Sequence, residues 1–206
     1  MKRLLAVLAI VAFTMGGSVA QATPLIDFGT GLAGKGGTIT DTGSEVIGAG
    51  ILIGALTVDG LGAMDGVYLA TGTGSGNFPP NPGVLNFTFG AGISNYIEVV
   101  GGVADLSVPD GTLLLSGSFT SFSFMQIGDV FEVHGIGTNM ISPLLLTALG
   151  IPVDTPFQFS GFSVATDQLE AYSTDLTSTP VPEPGSLLLL GTGLLGLAGV
   201  VRRRKK

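Results

Sequence analysis

Glu132 and His134 are the residues whose types and spacing come nearest to proton-transfer chemistry. His134 is the only histidine of the chain, and an i, i+2 spacing puts both side chains on one face of a strand. There they could act as an acid/base pair or supply half of a metal site. A solvated polar strand face needs the same two residues and nothing more, and that is the reading taken here. A nucleophilic triad would have to use His134, because the chain has no cysteine and no G-x-S-x-G elbow. Zinc sites of the Cys/His kind lack ligands. Asp59 and Asp65 with their glycine neighbours, or Asp105 with Asp110, offer the hard oxygens that calcium takes. Neither stretch matches D-x-[DN]-x-[DN]-G, and Asp-Gly is also the usual dipeptide of a turn. The run from Gly29 to Gly34 fits G-x-G-x-x-G, but Lys35-Gly36-Gly37 cannot open the helix on which a pyrophosphate would rest. The pattern recurs from Gly191 to Gly196, and in a chain with 34 glycines it carries little information. No catalytic, cofactor-binding or metal-binding residue is assigned.

The elements that would carry these residues read as strands. Gly, Thr, Ser, Val and Phe dominate the middle of the chain, and charged residues are few. Leu85, Phe87 and Phe89 alternate with Asn86 and Thr88, and the segment from Val130 to Ile136 alternates in the same way. Further strands are expected at Leu25 to Phe28, Thr38 to Thr40, Val46 to Ile53, Val67 to Ala70, Tyr96 to Val100, Thr112 to Ser118, Phe157 to Val164 and Tyr172 to Leu176. The apolar parity changes near Thr120, which calls for a β-bulge or a strand break. Asp59-Gly60, Asp65-Gly66, Gly101-Gly102 and Pro109-Asp110-Gly111 supply turns. One short helix is expected, with Ser142 as cap, Pro143 in its first turn and Gly150 ending it. The expectation is an all-β, antiparallel two-sheet β-sandwich of jelly-roll type over residues 23–172, followed by a linker over 173–184.

The two ends of the chain differ from this body. Lys2 and Arg3 precede an apolar stretch from Leu4 to Met15, and Ala20-Gln21-Ala22 forms a small-residue cleavage site, with Ser18-Val19-Ala20 as the alternative. Residues 1–22 read as a signal peptide cut after Ala22. At the other end Val181-Pro182-Glu183-Pro184 leads into an uncharged run from Ser186 to Val201, closed by Arg202, Arg203, Arg204, Lys205 and Lys206. The prolines hold the first part extended. The 16 apolar residues make a helix of roughly 24 Å, somewhat short for a hydrocarbon core of about 30 Å. The cations read as a basic stop-transfer cluster on the cytoplasmic side. Residues 185–206 are therefore expected to be a transmembrane helix with a basic tail.

This ending resembles the PEP-CTERM sorting signal of Gram-negative bacteria. The resemblance implies an exosortase-type membrane protease as partner, an inner-membrane-anchored precursor, and a product at the cell surface or outside the cell. Between the two ends Lys35 is the only Lys or Arg, against all 15 Asp and Glu, a net charge of −14. Such a body has no positive patch for phosphates, which excludes nucleic acid as a partner. The expected function is a non-enzymatic envelope or extracellular-matrix protein associated with exopolysaccharide. A glycan-binding module on the cell surface is the alternative, although the chain has only three tyrosines and no tryptophan to stack on a sugar.

Mass spectrometry of the exported protein should give Thr23 as the first residue. A mature chain that still contains Leu4 to Met15 would be anchored at both ends and would contradict the signal-peptide assignment.

Overall fold

The computed structural model describes residues 23–76, 80–90, 95–128, 130–167 and 170–181. Eleven strands follow in chain order: β1 (Leu25–Gly29), β2 (Thr38–Asp41), β3 (Glu45–Ile53), β4 (Ala55–Asp59), β5 (Gly66–Leu69), β6 (Gly83–Gly90), β7 (Tyr96–Val103), β8 (Val108–Ile127), β9 (Val130–Ile141), β10 (Phe157–Asp167) and β11 (Glu170–Pro180). Among the described residues one α-helix, α1 (Pro143–Ala148), connects β9 to β10, with 3-10 turns at Gly62–Met64 and Ala104–Leu106. Pro143 fits the first turn of α1, and the Ser142 carbonyl accepts the Leu146 N–H at 2.9 Å, while the Ser142 hydroxyl makes no cap. Gly150 takes φ 71° just past its end.

The strands do not divide into two sheets. β1 and β2 lie in tandem along the same side of β11, pairing at Ile26↔Ser178 and at Thr38↔Glu170. On their other side they pair with β4 and β3, which are themselves one path interrupted at Gly54. β5 and β6 continue the pattern along β4 and β3, and β7, β8, β9, β10 and β11 each pair antiparallel with the one before. Every stave thus pairs with the next in sequence, and the last returns to the first. The result is a closed up-and-down barrel of eight staves, which overturns the expected sandwich. Period-two alternation is the same in both architectures, and what selects the barrel is curvature. Register shifts at Gly48/Ile51, Val99/Val100, Phe119/Ser121 and Phe159/Gly161 bend the strands enough to close the sheet. The parity change near Thr120 is one of these bulges.

Residues 173–180, expected in the linker, are part of β11 and hydrogen-bonded into the wall. Among the described residues no helix is long and apolar enough to cross a membrane. The segment 185–206 assigned to a transmembrane helix, and the signal peptide 1–22, lie outside the described residues.

Inward positions are mostly apolar and outward ones mixed, as the alternating burial of β6, β9 and β10 displays: Asn86, Thr88, Glu132, His134, Gln158 and Ser163 face out, and so do Val130, Ile136 and Met140. Phe87, Phe89, Phe119, Phe159 and Phe162 fill the centre. The Phe119 ring sits 5.3–6.3 Å from the rings of the other four. Room for it comes from β9, where a Cβ at Gly135 would stand 2.5 Å from the Phe119 ring and one at Gly137 2.4 Å from Phe159. Truncating Phe119 to alanine should cost about 3–5 kcal/mol, because the closed wall cannot collapse into the space it leaves. A denaturation midpoint shifted by less than about 1 kcal/mol would show that this cluster is not what holds the barrel together.

Candidate functional site

β9 carries both Glu132 and His134 on its outer face, and the imidazole Nε2 lies 2.9 Å from Glu132 Oε1. Both side chains are about half exposed. The neighbours across the ladder are Ser123 and Ser163 beside His134, and Met125 and Ala165 beside Glu132. The bulges at Phe119/Ser121 on β8 and Phe159/Phe162 on β10 flank this part of β9 from both sides. They leave a shallow outer groove of about 330 Å³ bordered by Ser121, Ser123, His134, Ile136, Ser160 and Gly161. Among the described residues the imidazole has no other hydrogen-bonding side chain. The pair lies open to solvent in this groove.

The aspartates weighed for calcium serve as local caps. Asp59 Oδ1 accepts the Gly60 N–H at 2.8 Å, and Asp65 Oδ1 accepts the Leu61 N–H at 2.6 Å, closing the turn that contains Gly62–Met64. Asp110 accepts the Thr71 hydroxyl, and Asp105 stands in the first turn of Ala104–Leu106. Among the described residues no three His, Cys, Asp or Glu side chains converge on a metal-sized space. Gly29 to Gly34 form the turn after β1 and lead to β2 with no helix between. Tyr68, Tyr96 and Tyr172 stand on β5, β7 and β11, and the Tyr68 hydroxyl donates to the Met64 carbonyl at 2.8 Å. Lys35, its side chain about half exposed, pairs with Asp167, and that bond raises its pKa.

Two features have no counterpart in the sequence reading. One is a second cleft of about 330 Å³ where Phe89, Phe122 and Phe124 meet Asp41 and Glu45 of the β2–β3 hairpin. The Phe89 and Phe122 rings are 4.2 Å apart, and Phe122, although on the inward face, is 40% exposed. The other is Asp27 in the middle of β1. Burial, and next the Asp175 carboxylate, raise its pKa above 3.8, against the opposing effect of the Leu176 backbone and the Thr177 hydroxyl. Its Oδ1 is buried without a partner. The alternation of Leu25, Ile26 and Phe28 around an acid is visible in the sequence, but Asp175 comes beside it only through closure of the barrel.

Of the residues assigned to sorting, Val181 is described, and its N–H donates to the Pro156 carbonyl at 2.9 Å. Pro182, Glu183, Pro184, the basic cluster Arg202 to Lys206 and the cleavage residue Ala22 lie outside the described residues. The last strand of the barrel, β11, ends at Pro180, immediately before the sorting residues that start at Val181. The family model of the PEP-CTERM protein-sorting motif matches residues 180–205, so the chain carries a PEP-CTERM sorting domain. The motif marks a membrane-anchored precursor that exosortase, a membrane protease, sorts to the cell surface. No curated protein and no solved structure matches the chain.

A group whose pKa is raised in the folded state favours folding most below its unfolded pKa, and that contribution is lost as pH rises through the folded value. Asp27→Asn should therefore match the wild type in thermal stability below pH 3.8 and exceed it increasingly as pH rises toward neutrality. Parallel melting profiles at all pH values would show that Asp27 ionises without cost.

Proposed function

We propose that the barrel is a non-enzymatic component of the cell envelope or extracellular matrix, delivered by its sorting domain and associated with exopolysaccharide. The observation that carries this reading is the sorting match at residues 180–205, joined directly to a barrel whose interior is packed with phenylalanine rings. An eight-stranded barrel is just wide enough for its side chains to fill it or for one small ligand. Here the rings take the space. The Glu132–His134 pair stands on the open outer wall, which suits contact with solvent or a matrix better than catalysis. Exosortase is proposed to read Pro182-Glu183-Pro184, with Arg202 to Lys206 fixing orientation in the inner membrane. The product then stands at the cell surface or beyond it.

The second reading, a glycan-binding module, draws on the cleft between β8 and the β2–β3 hairpin. Phe122 and Phe124 offer aromatic faces beside the carboxylates of Asp41 and Glu45, an arrangement that can stack a sugar ring and accept its hydroxyl protons.

One experiment separates these readings from each other and from a plain anchor. In an exosortase-bearing host, the wild type should appear shortened and co-sediment with surface polysaccharide. Replacing Pro182, Glu183 and Pro184 together by alanine should leave a full-length form in the inner membrane. Processing of that triple variant at the wild-type rate would reduce the motif to a linker, and a shortened protein free of polysaccharide would remove the matrix assignment. His134→Gln should change neither fractionation nor melting, since exposed substitutions usually shift stability by about 0.5 kcal/mol or less. A glycan-array signal abolished by Asp41→Asn with Glu45→Gln would favour the binding module instead.

A further inference from the structure

Among the described residues the barrel wall is incomplete along one stave. β7 accompanies β8 only as far as Ile97↔Gly117, whereas β9 follows β8 on its other side to Ile127↔Val130. Residues 118–127 of β8 therefore have one edge that no strand pairs with among the described residues. The consequence shows in Phe122, an inward-facing ring left 40% exposed, while Met125 and Ile127 point outward. A bare edge is a template for another strand, and proteins normally blunt it with charge, proline, brevity or a bulge. Past the bulge at Phe119/Ser121, β8 has none of these from Phe122 to Ile127. Between Asp110 and Asp129 there is no ionisable residue and no proline, in a body whose net charge is −14. Copies of this chain repel one another over most of their surface, and this edge is exempt.

We propose that the free edge of β8 pairs with the same edge of a second copy of this chain, antiparallel and centred on Ser123. The segment is suited to a two-fold axis at that point. Ser123 then faces itself, Phe122 of each copy faces Phe124 of the other, and Ser121 faces Met125. Because Phe122 and Phe124 share the inward face of the barrel wall, the paired strands put aromatic against aromatic on that side. Ser123 lies on the outer side, opposite His134. The dimer joins two open clefts across a continuous sheet and covers Phe122, the inward-facing ring that the single barrel leaves exposed. Asp41 and Glu45 border the same cleft and make a basic extended peptide the competing occupant.

The absence of cysteine from the chain gives a direct test. Ser123→Cys in the full chain, held in mild detergent, introduces one thiol at the proposed axis. Antiparallel partners at an axis have Cα separations of about 4.5–5.5 Å, within the range a disulfide spans. Mild oxidation should convert most of this variant to a covalent dimer, while Thr138→Cys, exposed on the paired strand β9, should stay monomeric. Light scattering should give the wild type twice the protomer mass and Ser123→Lys the mass of one. Circular dichroism serves to confirm that the lysine variant is folded, and if it is not, the cross-link decides alone. Cross-linking at Ser123→Cys no greater than at Thr138→Cys overturns the proposal. So does a folded Ser123→Lys chain of unchanged mass, which would place any association in the membrane tail. A monomeric wild type that binds an oligolysine-flanked strand peptide would assign the edge to the competing occupant.

Discussion

Everything in this molecule depends on β11 finding partners on both sides. β10, its neighbour in sequence, lines one edge, but its other edge needs β1 and β2 from the opposite end of the folded chain. The remaining pairings join staves that follow one another in sequence, with β1–β4 and β3–β6 closing loops of intermediate length. The one end-to-end pairing turns an open, curled sheet into a barrel. The burial of Ile26, Phe28 and Leu176 at this seam is the return on that closure. The tandem arrangement of β1 and β2 has a cost of its own, since the seam is not one continuous ladder. It is a four-residue stretch at β1 and a single residue pair at β2.

The closing strand is also the strand that leads to the sorting segment. The sorting match begins at residue 180, the last residue of β11, and the Val181 N–H is already committed to the Pro156 carbonyl. From Val181 to the start of the apolar run at Ser186 is five residues, a reach of at most about 18 Å when fully extended. The folded wall and the sorting match thus meet at Pro180.

Much of the strand content was legible because Phe, Val, Leu and Ile alternate with polar residues where one face is buried. The helix at Pro143 and the bulge at Thr120 were legible for equally local reasons: a proline at a helix start and a change of apolar parity. β4 was missed, since Gly54 and the Asp59-Gly60 turn leave only Leu56 and Val58 as inward residues. The sandwich expectation failed because alternation records that a strand has an inside and not what stands across from it. The second half of β11 was read as a tether for a different reason. Its inward positions include Thr174 and Ser178, so burial there is not accompanied by hydropathy. The sorting motif was legible, because an extended motif, an apolar run and a basic end are read from the chain itself. Asp27 and the cleft at Phe122 were not, because both are made by segments far apart in sequence.

The polar lining of β11 separates the two sides of the barrel. Around β6, β8 and β10 the interior is a continuous set of phenylalanine rings, several in edge-to-face contact. Near β11, Asn139 donates to the buried Ser178 hydroxyl at 2.8 Å, while Asn139 Oδ1 and Thr174 Oγ1 are buried without partners. On β1 the half-buried Asp27 pairs across the ladder with Thr177, and the nearby Asp175 carboxylate of β11 disfavours its charge. Unsatisfied polar atoms and a disfavoured carboxylate oppose burial, and each weakens this wall relative to the aromatic one. The least apolar stave is thus the one that closes the barrel and the one that runs into the processing segment. Local opening, which starts where apolar contact is sparsest, has its lowest barrier at the seam beside the sorting motif and its highest at the aromatic wall.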